Sequence, residues 1–172
     1  MRAARSPALL LSVALASLLG SAPVAPAQAP GRVEQTPYVF IVRSPAGFDD
    51  VLTSLQEAIK RRNYVITGIN HLDDTLRQRA ADVGGPPFGY EQYKVVGFCN
   101  LTLADEAVRK NPHVGAFLPC RAVVYRARGA RETTVVAFRP SSLAQALGQH
   151  VEGVMRQAEA DILAILAEVA AD

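Results

Sequence analysis

Several signatures are missing from this chain, and each absence removes a class of function. There is no GxSxG, HExxH, GxxxxGK[ST] or GxGxxG motif. Nucleophile-elbow hydrolases, zincins, P-loop enzymes and dinucleotide binders of the ordinary kinds are therefore disfavoured. The two cysteines, Cys99 and Cys120, form neither a CxxC nor a CxxCH. That argues against a thioredoxin-like redox motif and against covalently attached c-type haem. No internal repeat or heptad run occurs. The longest apolar run, Ala8 to Leu19, is shorter than the roughly 20 residues that a membrane-spanning helix needs.

What is there begins with a targeting pattern. The chain opens MRAARSPALLLSVALASLLGSAPVAPAQAP. Arg2 and Arg5 precede the apolar stretch, and Ala25-Pro26-Ala27 supplies a small-x-small cleavage site. This is the order of a secretory signal peptide over residues 1–27. No cysteine lies near the cleavage site, so a lipoprotein is not indicated. Removing 27 of the 172 residues leaves 145, which suits a single domain over 37–172 behind a flexible leader at 28–36. Cleavage takes Lys plus Arg from 18 to 16 against 16 acidic residues, so the mature net charge is zero with His neutral. A neutral chain gives no global case for nucleic acid, or for a membrane beyond targeting. The expected location is periplasmic or secreted, where a disulfide forms and persists.

Hydrophobic periodicity predicts the elements. Tyr38 to Ser44 reads as a strand. Over Phe48 to Asn63, the residues Phe48, Val51, Leu52, Leu55, Ala58 and Ile59 form one helical stripe. Asp49 and Asp50 open that helix and Lys60, Arg61 and Arg62 close it, which complements the helix dipole, and Asn63 suits a left-handed cap. Tyr64 to Asn70 and Tyr93 to Asn100 read as strands, separated by a weakly helical stretch and the breaker GGPPFG. A short helix follows with Thr102 as N-cap, stopped by Pro112. Arg121 to Arg126 and Thr133 to Arg139 form a hairpin around Gly129. The tail from Ser141 is helical, with Ser141 and Ser142 as caps and breaks at Gly148 or Gly153. The order is β-α-β-β-α-β-β-α. An α+β fold is expected, with an antiparallel-rich sheet and helices on one face.

The run INHLDD, then a strand ending GFCN, then GAFLPCRAVVY and TTVVAFRP, resembles the domain of unknown function 302 family. The resemblance covers the chain from about Tyr38 onward. It implies a compact fold of the TATA-binding-protein-like type, and no established activity. His71 and Asp73 match the family's His-Asp pair, Asn100 the Asn of its turn, and Pro119 the Pro of its Leu-Pro. Leu101 replaces the usual Pro. Cys99 and Cys120 stand where glycine and an apolar residue are usual, which marks a cysteine-pair subgroup.

The cysteine pair leaves three readings open. If the two strands neighbour each other, the sulfurs meet as a structural disulfide. A reversible redox pair is a second, with Arg121 lowering the Cys120 pKa by proximity. A copper or zinc site is a third, with His71 and His113 completing the set. Beside the pair, Asp73 would fix the His71 tautomer to make a polar centre. His71 on a strand and His113 in a turn also have bland readings, as rim and solvated residues, and His150 as a packing residue of the last helix. The expectation is thus a binding or accessory module for a small ligand or an exported partner. His71, Asp73, Cys99, Asn100 and Cys120 would line its site, and a metal ion is the possible cofactor. A thiol-disulfide redox protein is the alternative.

Overall fold

The structure, a computed structural model, describes residues 31–84 and 89–172. The signal-peptide reading of 1–27 and most of the GGPPFG breaker lie outside these residues. Six strands form one sheet: β1 (Glu34–Gln35), β2 (Val39–Ser44), β3 (Val65–His71), β4 (Tyr90–Cys99), β5 (Cys120–Ala127) and β6 (Thr133–Phe138). Their order is β1-β2-β6-β5-β4-β3, and every neighbouring pair is antiparallel. Among the described residues five α-helices pack with the sheet: α1 (Phe48–Arg61), α2 (Leu72–Gln78), α3 (Leu101–Lys110), α4 (Ala144–Leu147) and α5 (Glu152–Ala171). This is the expected α+β architecture.

Alternation along the strands aims one set of side chains at the helices. Phe40 and Val42 of β2, Val96 and Phe98 of β4, Ala122 and Val124 of β5, and Val135 and Ala137 of β6 are all buried. They meet Phe48, Val51, Leu55, Ala58 and Ile59 of α1 and Ile162, Ile165, Leu166 and Val169 of α5 in one core. The α1 stripe is the predicted one, except that Leu52 sits at its half-buried margin. Asn63 takes φ 59°, the left-handed conformation that lets the chain turn from α1 into β3. Beyond its place in the last turn, Arg61 reaches Glu168 of α5 at 2.9 Å, and Arg62 reaches the same carboxylate at 3.1 Å.

Four local expectations differ. Part of the stretch read as a flexible leader pairs as β1, an edge strand held beside β2 with Glu34 on Arg43 at 2.7 Å. Two residues are too few to leave a period in the sequence. The weakly helical stretch after β3 contains a true helix, α2. Asn100, not Thr102, caps α3: its side-chain oxygen accepts from the N–H groups of Thr102 and Leu103 at 3.1 and 3.2 Å. Ser141 and Ser142 cap nothing by side chain. The Ser141 N–H donates to Glu159 of α5 at 3.0 Å, and its hydroxyl donates to the same carboxylate. Of the two candidate breaks, Gly148 at φ 99° separates α4 from α5, and Gly153 lies inside α5. No described helix is long and apolar enough to cross a membrane.

Candidate functional site

The chain between the cysteines leaves the sheet and returns beside its own point of departure. β4 ends at Cys99, Asn100 caps α3, and a 3-10 turn over Pro112–Phe117 leads back to β5, which opens at Cys120. Phe98 is the direct partner of Cys120 across the ladder. Cys99 is therefore one residue removed from facing Cys120. Ordinary sheet spacings put the two Cα atoms roughly 6 Å apart, within the reach of a disulfide. Both are free thiols in this structure.

The two cysteines share a cavity. A narrow hollow, with about 40 Å³ of interior room for a water-sized sphere, lies between α3, the 3-10 turn, α5 and the ends of β4 and β5. Leu103 and Ala107 of α3, Val114 and Phe117 of the turn, and Met155 and Ala158 of α5 form much of its wall. Tyr64 and Asn100 bring the polar atoms. The Tyr64 hydroxyl donates to Asp161 at 3.0 Å, and burial, with that carboxylate beside it, pushes its pKa up. Phe117 is 42 % exposed although apolar.

These surroundings set the thiol chemistry. Burial pushes the Cys99 thiol up. Burial and the neighbouring Cys99 push Cys120 up to about 11. Arg121 does not counter this, contrary to the expectation of a lowered pKa. Alternation along β5 turns it to the open face, where it is exposed over Gly97, Thr67 and Gly68. Both sulfurs are protonated near neutral pH, so neither is a resident thiolate nucleophile.

His71 and Asp73 do not join this hollow. Along the β3–β4 ladder His71 faces Lys94 and Val65 faces Cys99. Six strand residues separate the two positions, about 20 Å at the usual rise. Asp73 is fully buried and committed elsewhere. Its carboxylate takes Lys94 Nζ at 2.7 Å and the N–H groups of Tyr93 and Asp74 at 3.0 and 2.9 Å. Burial alone would raise its pKa, but Lys94 and these two donors outweigh it and hold Asp73 below the usual carboxylate range. Asp74, not Asp73, approaches His71, with Nδ1 at 3.4 Å. The expected pairing of Asp73 with the His71 imidazole is thus replaced by a latch that pins α2 onto β4. His113 sits in the 3-10 turn, exposed, with its own N–H on the Asn111 side chain at 2.9 Å. His150 is exposed in the turn that leads into α5. Among the described residues no three His, Cys, Asp or Glu side chains gather to hold a metal. The expected Cys99, Cys120, His71 and His113 set is not assembled, because β3 runs away from the cysteines.

Asn100 is the one polar residue from the expected list that stays with them. Asn100→Ala removes both cap bonds of α3, a loss of about 1 kcal/mol. Urea unfolding monitored by circular dichroism reads this, and an unchanged midpoint would show that α3 does not depend on the cap. Tyr64, Leu103, Phe117 and Met155 carry no motif in the sequence. Each reads there as an ordinary core or turn residue, and only the fold shows that they face a common hollow.

A family model described as domain of unknown function DUF302 matches residues 40–169. A solved structure, titled as an uncharacterized conserved DUF302 protein from Bacillus stearothermophilus, superposes with a TM-score of 0.67 at 21 % identity. The match covers 76 % of this chain and 96 % of that one. At such identity the likeness shows the fold alone. Comparison with curated proteins returned no match.

Proposed function

The chain belongs to the family of domain of unknown function DUF302, and for this member we propose an exported binding module whose ligand seat is the thiol-lined hollow. The observation that carries the reading is that Cys99 and Cys120 wall the same apolar cavity while lying side by side at two strand ends. Two cysteines at positions where the family pattern has other residues mark this chain as one of a cysteine-pair subgroup. Concave, largely apolar cavities with a few placed polar groups are the ordinary form of small-ligand sites. The ligand class this favours is a small, mostly apolar molecule, with Asn100 and Tyr64 as the polar contacts. In an oxidising compartment a disulfide between Cys99 and Cys120 requires the two side chains, one step out of register, to turn toward each other within the shared cavity. Their raised pKa values argue against the redox-enzyme alternative, which needs a thiolate at working pH.

The test uses the uncharged dye N-phenyl-1-naphthylamine on the mature protein. Saturable one-to-one binding is expected, and Ala104→Phe, which fills the hollow from α3, abolishes it while the circular dichroism spectrum is kept. Unsaturable binding, or equal binding by the variant, would sink the reading. For export, the mature protein recovered from the periplasm or medium begins at Gln28. A chain retained in the cytoplasm with Met1 in place contradicts that part.

A further inference from the structure

We propose that the reduced Cys99 and Cys120 pair forms a two-coordinate site for Cu(I). The inference rests on reading the hollow as the binding seat, and it names a specific occupant for the sulfur-bearing wall.

The ligand inventory selects the ion. Cys99 and Cys120 stand one residue step out of register on adjoining strands and line the same cavity, and no third His, Cys, Asp or Glu gathers with them among the described residues. Zinc is held by four ligands in structural sites and by three plus water in catalytic ones. Calcium and magnesium require shells of oxygen. Neither requirement is met here. Cu(I) is soft, prefers thiolate and thioether sulfur, and with its filled d shell is satisfied by two thiolates in line. Met155 places a thioether in the same wall. The remaining wall is mostly aliphatic and aromatic, which keeps out the water and oxygen donors that favour harder ions.

A copper bis-thiolate carries one negative charge. Cys99 immediately precedes Asn100, the cap of α3, and its thiol donates to the Asn100 carbonyl at 3.8 Å. On binding, each thiol releases one proton to solvent and two S–Cu bonds form. Copper stays in the +1 state and no electrons move. The same thiols can instead give up two electrons and two protons to an oxidant such as diamide, breaking both S–H bonds and forming one S–S bond. The disulfide and the copper site therefore exclude one another, and the oxidation state of the pair decides whether copper is held.

Reduced, mature protein is titrated with Cu(I) without oxygen, in competition with the chelator bathocuproine disulfonate. One Cu(I) per chain is expected, with an ultraviolet sulfur-to-copper charge-transfer band. Cys99→Ser and Cys120→Ser each weaken retention about 100-fold or more. Prior oxidation of the unmutated protein with diamide abolishes binding, and reductant restores it, so the result does not depend on either variant folding. Wild-type protein that yields its copper as readily as Cys99→Ser overturns the proposal, as does tighter retention of Zn(II) than of Cu(I). If the dye still binds saturably while copper does not, the copper site fails and the binding module stands. If neither binds, the hollow is not a seat at all.

Discussion

Asp73→Ala lowers the free energy of unfolding by about 3–5 kcal/mol, the usual loss when one partner of a buried ion pair is removed. Asp73 has no solvent exposure, and Lys94 keeps only 11 % of its side chain in contact with solvent. The substitution leaves Lys94 with Asp74 as its remaining anion. It also strands the backbone N–H groups of Tyr93 and Asp74, which the carboxylate otherwise satisfies. Each unsatisfied buried donor costs about 1–3 kcal/mol. Chemical denaturation measures the loss, and a decrease below about 1 kcal/mol would show that the latch is not part of the core's stability. The same carboxylates set the acid limb. Asp73 lies below its ordinary pKa, and Asp74, hydrogen-bonded by Lys94 and Arg77, lies at about 2. Both are depressed in the folded state, so their stabilisation is complete above about pH 4, the unfolded carboxylate value. It is lost as pH falls through the folded values toward about 2. Asp73→Asn shows a shallower loss of stability between those limits than the unmutated protein. An equally steep loss assigns the acid limb to other groups, such as Glu159, which is also held low, with the Ser141 hydroxyl and Arg139 outweighing its burial.

Phe98→Ala costs about 3–5 kcal/mol, the range for deleting a buried phenylalanine ring. Phe98 is 1 % exposed and belongs to the core on the sheet's covered face. Its ring meets Tyr64 edge-on, with centroids 5.8 Å apart, and on the ladder it faces Cys120. Deleting it opens a void between the main core and the hollow. Tyr64 loses its packing partner and Cys120 its neighbour across the strands. Phe98→Leu restores most of the volume and loses less. Thermal and urea unfolding of the pair of variants, with dye binding measured alongside, separates the two roles. If alanine and leucine cost the same, the ring is not tightly packed.

The fold was largely legible because its strongest signals were periodic. The apolar stripe from Phe48 to Ile59 leaves one reading, and so do the alternating strands of the hairpin around Gly129. The two-residue strand Glu34–Gln35 carries no such period and owes its pairing to β2 and to Arg43. The cap of α3 was misplaced by two residues. Asn100 and Thr102 are both capable caps, and only backbone geometry selects the first.

The site was half legible. The element order puts Cys99 at the end of one strand and Cys120 at the start of the next; that the two strands adjoin is set by the β4–β5 ladder, and both residues line one cavity. Order alone groups His71 and Asp73 with the cysteines, but the length of β3 holds them apart. His71 belongs to the far end of the same ladder. The aspartate that counts there is tied to Lys94, a partner twenty-one residues away that no local motif announces. Arg121 illustrates the same limit at short range, since adjacency to Cys120 in a strand means opposite faces.

Phenylarsine oxide binds only where two thiols can reach one arsenic atom, and it tests the shared cavity most directly. Added in one equivalent to the reduced, folded protein, it is expected to remove both thiols from titration, leaving none reactive until a competing dithiol is supplied. If both thiols remain titratable after one equivalent, the sulfurs do not share a cavity wall, and neither a bridge nor a copper site joins them.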